Sequence, residues 1–166
     1  MKIIFIQTGG TIDKDYPQQT KGYAFEITEP AVKRILDRLN PDFQYEIIPL
    51  LQKDSLDLTD EDRKKIYDSC VHSSGDKIIV THGTDTLIET ARFLSTINKK
   101  VIVLTGSFKP ERFFDSEAPI NLGVALGGVS SLGSGIYVAM NGRIFTVDNV
   151  MRDPETGQFA ERQKTD

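Results

Sequence analysis

Two polar turns, each directly after a run of apolar residues, place the strongest constraint on what this chain can fold into. The first turn reads TGGTID (residues 8–13) and follows the apolar run 3–6; the second reads THGTDT (residues 81–86) and follows the run 78–80. In an open parallel α/β sheet, the carboxyl ends of the strands form the crevice that binds ligand. We therefore expect both turns to lie at one edge of a parallel sheet and to contribute to one site.

Strand-like and helix-like segments alternate along the rest of the chain. Short apolar runs at 101–104 and 136–140 predict further buried strands, and apolar residues at helical spacing predict intervening helices, for example over 32–39. The alternation of apolar and polar residues at 43–47 indicates a strand towards the sheet edge. Together these patterns predict a three-layer α/β fold with an open, mainly parallel, Rossmann-like sheet.

Local patterns also predict where helices begin and how the chain ends. The segment TEP (residues 28–30) offers a capping residue and then a proline in the first turn of a helix. Thr59 followed by three acids predicts a second helix start. Thr86 with Glu89 three residues later predicts a capping box for a third helix. The tail beyond Met151 is predicted to be turn-like.

Length and composition exclude several classes of function. The 166 residues suffice for one hydrophobic core, so we expect a single domain over 1–166. The net charge is −4, and no stripe of Lys and Arg interleaved with aromatic residues is present, which argues against nucleic acid as a partner. The run 3–6 is too short for a signal peptide, and Gly and Ser interrupt the span 122–140, which argues against a membrane segment. The single cysteine, Cys70, cannot form an internal disulfide, so a cytoplasmic location is expected.

Thr11 is the first candidate for chemistry, because a hydroxyl after two glycines lies where the backbone bends freely. A threonine hydroxyl is a weak nucleophile that needs a nearby base, and the carbonyl it attacks needs hydrogen-bond donors. The alternative is that Thr11 is only a turn or cap residue. Thr84 and Asp85 bring a second hydroxyl and a carboxylate to the end of another strand, with helix capping as their alternative role.

The remaining titratable residues are predicted to be structural or solvated. His82 ends a buried strand, where a histidine more often satisfies neighbouring backbone groups, and His72 is predicted to be exposed on a helix. Two histidines and one cysteine argue against a zinc site, and no metal or cofactor is expected. Five acids cannot be placed opposite one another from sequence and are predicted to be solvated charges: Asp13, Asp15, Glu111, Asp115 and Glu117.

The two turns together resemble the signatures of the bacterial-type L-asparaginases, which read Thr-Gly-Gly-Thr-Ile and Thr-His-Gly-Thr-Asp-Thr. The similarity continues through IVLTGS (102–107), PINL (119–122) and VAMNG (138–142), in the same order and spacing. It therefore covers nearly the whole chain, and two intact signatures in sequence are a specific signal. A lone nucleotide-binding Rossmann domain is poorly supported, because the first turn lacks the G-x-G-x-x-G spacing.

This resemblance implies hydrolysis of the side-chain amide of L-asparagine, and in some members L-glutamine, through an acyl-enzyme on a threonine without metal or cofactor. By motif position it implies that Thr11 is the nucleophile and that Asp85 holds the substrate's α-amino group. A tyrosine on the loop after the first signature assists the nucleophile in the family; Tyr16 and Tyr23 both lie on that loop. The resemblance places five residues at the substrate: Gly10, Ser55, Gly83, Thr84 and Asp85.

Three features differ from the family pattern. Full-size members carry a second, smaller C-terminal domain that helps to close a neighbour's site, and this chain is expected to lack it. Residues that close the site would then come from another protomer, from the tail or from nowhere, and a homodimer or higher homo-oligomer is expected. The family's lysine, which works with the threonine at position 84, falls by spacing at Arg152, and the glutamine after the substrate-binding serine is Leu56. Arginine holds its proton too tightly to act as a base. These differences leave an alternative function, a catalytically impaired module that binds an amino acid.

Overall fold

A six-stranded sheet organises the chain in the computed structural model, which describes residues 1–16 and 24–162. In spatial order the strands are β4 (Gln44–Lys53), β1 (Lys2–Gly9), β5 (Lys77–Thr81), β6 (Val101–Thr105), β7 (Gly135–Met140) and β8 (Arg143–Thr146). The first five run parallel, and β8 is antiparallel to β7. Residues 44–47 of the alternating apolar and polar pattern lie in β4, which is at the sheet edge, as predicted.

Helices cover both faces of this sheet. Successive residues of a strand point to opposite faces, and Ile3 and Phe5 accordingly belong to one core cluster while Ile4 and Ile6 belong to another. Helices α1 (Ala31–Leu39) and α4 (Ala118–Ser131) contribute to the first cluster, and α2 (Asp60–His72) and α3 (Leu87–Phe93) to the second. The prediction of a three-layer α/β fold is confirmed.

The chain reverses its direction of winding between β1 and β5. From β1 it passes through α1 to β4 on one side, whereas from β5 it passes through α3 to β6 on the other side. In open α/β sheets, ligands bind outside the carboxyl ends of the strands at such a switch point. The two signature turns follow β1 and β5, so both emerge there.

Two small antiparallel pairs lie outside the main sheet. β2 (Lys14–Asp15) pairs with β3 (Glu26–Ile27), and β9 (Val150–Arg152) pairs with β10 (Phe159–Glu161). The tail beyond Met151, predicted to be turn-like, contains this turn and adds two strands that it connects, and Phe159 of β10 is buried. No helix in the described ranges is long and apolar enough to cross a membrane.

The structure confirms one of the three predicted helix caps and corrects the other two. Thr59 caps α2, and its hydroxyl and the Asp62 carboxylate form a capping box. Thr86 precedes α3, but its side chain makes no capping hydrogen bond, and Glu89 pairs instead with Arg63 at 3.2 Å. Thr28 does not cap α1 either, because the N-cap position is Pro30, which has no side-chain donor or acceptor.

Asp13, which lies well before α1 in the sequence, provides the hydrogen-bond acceptor that caps α1. Its Oδ1 accepts from the Ala31 N–H at 2.7 Å, and its carbonyl oxygen accepts from the Thr28 N–H at 2.9 Å. Burial raises the pKa of Asp13 to about 7, against the opposing hydrogen bond from Ala31. The second carboxyl oxygen meets no hydrogen-bond criterion with any described residue. The side chain of Gln7, like the Ala31 N–H, lowers the pKa of Asp13, but burial outweighs both effects, so Asp13 keeps its proton up to about pH 7.

Two further acids predicted to be solvated are also buried. Glu111 accepts from Arg34 Nε at 2.6 Å and pairs with Arg38, while Asp15 accepts from Arg112 Nε at 2.7 Å. These pairs join the segment after β6 to α1 and to the segment after the first signature. Asp115 is exposed and Glu117 is partly exposed, so the prediction of solvated acids fails for Asp13, Asp15 and Glu111.

Asp13→Asn tests the buried neutral carboxyl. An unfolded Asp ionises near pH 4, whereas folded Asp13 keeps its proton up to about pH 7. Its stabilising contribution is therefore complete below pH 4 and is lost as the pH rises through about 7, by at most on the order of 4 kcal/mol. Asn carries a permanent donor in the proton's place, so the variant should lose less stability between pH 4 and pH 8, as measured by urea unfolding.

Asp37→Asn changes an exposed carboxylate on α1, the helix that Asp13 caps. It is the matched control and should follow the wild-type pH dependence. Equal pH slopes for wild type and Asp13→Asn would contradict a protonated Asp13.

Candidate active site

The two signature turns meet through their glycines. Gly10 has a φ of 86°, and a Cβ added there would lie 2.3 Å from the Cα of Gly83. A side chain at Gly10 would therefore be both strained and in collision with the second turn. The Gly10 N–H donates to the Lys53 carbonyl at 2.9 Å, so that donor is already used within the fold. The Gly83 N–H donates to no described residue.

Ser55 completes this junction from the end of β4. A Cβ added to Gly83 would lie 2.6 Å from the Ser55 Oγ, so the serine hydroxyl lies directly against the second turn. Thr86 fastens the contact, since its Oγ1 donates to the Ser55 carbonyl at 2.8 Å. The Ser55 Oγ is buried and has no hydrogen-bond partner among the described residues. An unpaired buried hydroxyl costs about 1–3 kcal/mol, which a ligand acceptor would recover.

Thr11 lies next to the junction, in the 3-10 turn Thr11–Asp13. It is partly exposed, and its hydroxyl makes no hydrogen bond to a described residue. Tyr16 is 68% exposed, with its ring 5.2 Å from that of Phe25, and no hydrogen bond joins its hydroxyl to Thr11. Tyr23 lies outside the described residues. The group that would take the proton of Thr11 is therefore not identified among the described side chains.

Thr84 and Asp85 contact an arginine from the C-terminal hairpin. Arg152 Nη1 donates to the Thr84 carbonyl and to Asp85 Oδ1, both at 3.2 Å. Its guanidinium carbon lies 5.1 Å from the ring centre of Phe108 and 5.8 Å from that of Phe159. Cations are attracted to aromatic faces at such distances. The position of Arg152 beside Thr84 is the one that its sequence spacing indicated, and the structure adds that it is fixed there.

His82 holds the second turn in shape. Its Nδ1 lies 2.8 Å from the Gly83 carbonyl and its Nε2 lies 2.8 Å from the Thr90 hydroxyl. A carbonyl can only accept, so Nδ1 carries the proton and Nε2 accepts from Thr90. Burial lowers the pKa of His82 to about 4, which keeps the ring neutral. The prediction that His82 satisfies neighbouring backbone groups is confirmed.

Paired charges fix the loops on the β4 side of the junction. Lys14 Nζ contacts Asp54 Oδ2 at 3.0 Å, which joins the segment after Thr11 to the one before Ser55. Lys53 Nζ contacts Asp62 Oδ2 at 2.7 Å. The hydrogen bond from Lys14 lowers the pKa of Asp54, and that from Lys53 lowers the pKa of Asp62. The sequence did not reveal either pair, because lysines occur throughout polar loops.

Two open cavities are lined in part by these residues. One, of about 580 Å³, is lined by residues of β2, β3 and the end of β4 and by Asp54, and Lys14 is among its charged residues. The other, of about 310 Å³, is lined by residues that include Phe108, Asn141 and Arg152.

No group of three or more His, Cys, Asp or Glu side chains in 1–16 and 24–162 could hold a metal ion. Burial raises the pKa of Cys70 to about 12, so its thiol is unreactive.

Curated relatives match the sequence of this chain over about half of their own length. The chain is 32% identical over 160 residues to an L-asparaginase of Bacillus licheniformis, an alignment that covers 91% of this chain and 49% of the relative. It is 29% identical over 162 residues to a glutaminase-asparaginase of Acinetobacter glutaminasificans, with 90% and 49% covered. The chain thus spans about half the length of the curated relatives it matches.

Solved structures agree with the sequence relatives. The thermostable L-asparaginase from Thermococcus kodakarensis superimposes with a TM-score of 0.84 at 29% identity, over 97% of this chain and 51% of that one. The sequence model described as "Asparaginase, N-terminal" matches residues 2–156. The chain therefore belongs to the asparaginase family and matches the part of it described as N-terminal.

Proposed function

We propose that this chain hydrolyses the side-chain amide of L-asparagine, or of a related amide, with Thr11 as the nucleophile. The observation that carries the proposal is the contact between the two signature turns, in which Gly10 lies against Gly83 and Gly83 lies against Ser55. This contact lies beside the Thr11 hydroxyl, the Gly83 N–H and the buried Ser55 hydroxyl at the switch point of the sheet, and none of the three has a hydrogen-bond partner within residues 1–16 and 24–162. Those groups are what a zwitterionic amide substrate requires.

The proposed substrate contacts follow from charge and hydrogen-bonding capacity. The Ser55 hydroxyl and the Gly83 N–H, both without partners among the described residues, would donate to the α-carboxylate. The Asp85 carboxylate is half exposed and would face the α-ammonium. Thr84 lies between Gly83 and Asp85 in the same turn. Gly10 contributes by its lack of a side chain, since its N–H is used by Lys53.

The proposed reaction has two steps. The Thr11 Oγ attacks the amide carbon, and its proton passes to the leaving nitrogen. Ammonia then departs and leaves an acyl-threonine ester. Water then attacks the ester, which releases the acid and restores the hydroxyl. Tyr16, Tyr23 or a water molecule would transfer the proton, and no metal or cofactor enters either step.

The alternative function is a module that binds an amino acid without turning it over. It is favoured by the guanidinium beside Thr84, which cannot act as a base, and by the lack of a described hydrogen-bond partner for the Thr11 hydroxyl. A cytoplasmic location and a homodimer or higher homo-oligomer stay predictions from the sequence.

Thr11→Val removes the proposed nucleophile while keeping the shape of the side chain. Ammonia release from L-asparagine should fall at least about 1,000-fold, as expected when a covalent nucleophile is deleted. Coupled detection of ammonia, with purified wild type and variant, measures this directly. Thr11→Ser keeps the hydroxyl and should retain a measurable fraction of the activity.

Thr96→Val, which changes an exposed threonine away from the junction, is the matched control. Full activity in Thr11→Val would remove Thr11 from the mechanism. A wild-type protein inactive on asparagine, glutamine and asparaginyl peptides would refute the catalytic proposal.

Ser55→Ala tests the substrate contact independently of turnover. The Ser55 Oγ has no described partner in the free protein, so its removal breaks no hydrogen bond, relieves the cost of an unpaired buried hydroxyl and should leave the Tm unchanged or raise it. The variant should, however, bind L-aspartate about tenfold more weakly, because one hydrogen bond to a charged group is lost. Measuring Tm against aspartate concentration gives both results, since a ligand that binds only the folded state raises Tm.

Stabilisation of the wild type by aspartate without any ammonia release would favour the binding module. Identical aspartate affinities in wild type and Ser55→Ala would remove Ser55 from the site.

A further inference from the structure

Two threonines of one helix contact both sides of the junction between the signature turns and β4. Thr86 immediately precedes α3, and Thr90 lies one turn into it, with its N–H donating to the Thr86 carbonyl at 3.1 Å. The Thr86 Oγ1 donates to the Ser55 carbonyl at 2.8 Å, and the Thr90 Oγ1 lies 2.8 Å from Nε2 of His82. The start of α3 therefore holds the end of β4 and the second signature turn at once.

The ring of His82 is held at both of its nitrogens. Nδ1 donates to the Gly83 carbonyl at 2.8 Å, which leaves Nε2 as an acceptor for the Thr90 hydroxyl. His82 and Thr90 are both fully buried. Without the donor on Thr90, Nε2 would be a buried acceptor without a partner, and the ring would be free to turn about its side-chain bonds.

The hydrogen bond from His82 fixes the peptide unit between Gly83 and Thr84. A peptide unit is planar, and the described part of the chain has no cis peptide bond, so the Thr84 N–H points opposite to the Gly83 carbonyl. Holding that carbonyl against the ring therefore directs the Thr84 N–H away from the ring. Neither this N–H nor that of Gly83 donates to a residue within 1–16 and 24–162. Both donors, like the Ser55 hydroxyl, are available to a ligand.

The contact with Ser55 also explains why Thr86 does not cap α3. A threonine directly before a helix ordinarily accepts from a backbone N–H of the first turn. The Thr86 hydroxyl instead donates to the Ser55 carbonyl, and α3 begins without a side-chain capping bond. A locally favourable interaction is thus replaced by a contact with the candidate site, which is typical of positions that serve function.

We propose that Thr86 and Thr90 are positioning residues of the candidate site, which act through Ser55 and His82 and do not touch the substrate. Thr86 fixes the backbone of Ser55. Thr90 fixes the His82 ring and, through it, the peptide unit that follows Gly83. The start of α3 thus sets the serine hydroxyl and the amide donors of the second turn relative to each other. This inference rests on the proposed function, because those donors are the ones assigned to the substrate.

Thr90→Val tests the contact with His82. Valine keeps the shape of the buried side chain but cannot donate to Nε2, so the second turn loses its fixed orientation. The variant should bind L-aspartate about tenfold more weakly, as measured from the rise of Tm with aspartate concentration. Thr90→Ser keeps the hydroxyl and should restore the affinity to within about threefold of the wild type. Thr86→Val and Thr86→Ser should differ from each other in the same way.

Thr105→Val is the matched control. Thr105 is as buried as Thr90, and its hydroxyl also makes one buried hydrogen bond, to the Ala139 carbonyl at 2.8 Å. The control should lower the Tm of the free protein by a similar amount and leave the aspartate affinity unchanged. An equal loss of affinity in Thr105→Val and Thr90→Val would show that affinity follows the stability of the whole fold, which overturns the positioning role.

A measurement on the wild type decides the inference even where a variant fails to fold. Nitrogen NMR of the imidazole ring distinguishes its two tautomers, and the proton of His82 is expected on Nδ1. Addition of aspartate should shift the amide signals of Gly83 and Thr84. A proton on Nε2, or amide signals of these two residues that do not respond to aspartate, overturns the inference.

Binding separates a failure of this inference from a failure of the proposed function. A wild type that binds aspartate but releases no ammonia refutes the catalytic proposal, while the affinities of the variants still decide the positioning role. In an active protein, full aspartate affinity of Thr86→Val or Thr90→Val overturns the role of that threonine and leaves the proposed function standing. A wild type that does not bind aspartate overturns the positioning role outright.

Discussion

The close approach of Gly10 and Gly83 is the contact on which the rest of the site depends. It joins the loops after β1 and β5 backbone to backbone, with no room for a Cβ at either glycine. Because Ser55 lies against the other side of Gly83, the same contact determines where the end of β4 can lie. Thr11, Ser55 and Asp85 come from loops far apart in sequence, and this junction places those loops side by side.

The sequence predicted the layers of the fold and the position of the site because both depend on local patterns. Apolar runs and helical spacing act within a few residues, and the parallel order of strands brings the two signature turns to one edge. The edge position of β4 and the structural role of His82 could be predicted for the same reason. The resemblance of the two turns to a known family then supplied the residues around them.

What the sequence did not predict involves partners far apart along the chain. Arg34 and Glu111 are 77 residues apart, and Asp15 and Arg112 are 97 apart, so no spacing rule relates them. Asp13 was predicted to be solvated because no partner could be placed opposite it from the sequence. Its burial follows from α1, which needs an acceptor for the Ala31 N–H that Pro30 cannot provide. The hairpin strands β9 and β10 are three residues each, too short for a periodic signal.

Arg152 also bears on which of the two signature hydroxyls can react. A hydroxyl at Thr84 would need a neighbouring base, but an arginine keeps its proton throughout the physiological range. The donors of Arg152 are moreover directed at the carbonyls of Thr84 and Gly157 and at Asp85. Nothing in this contact removes a proton from Thr84. The turn that holds Thr11 is anchored through Asp13 and Lys14, and the Thr11 hydroxyl makes no hydrogen bond within the part of the chain that the structure describes. Under the proposed function, therefore, the chemistry depends on Thr11, and the second turn holds the ligand.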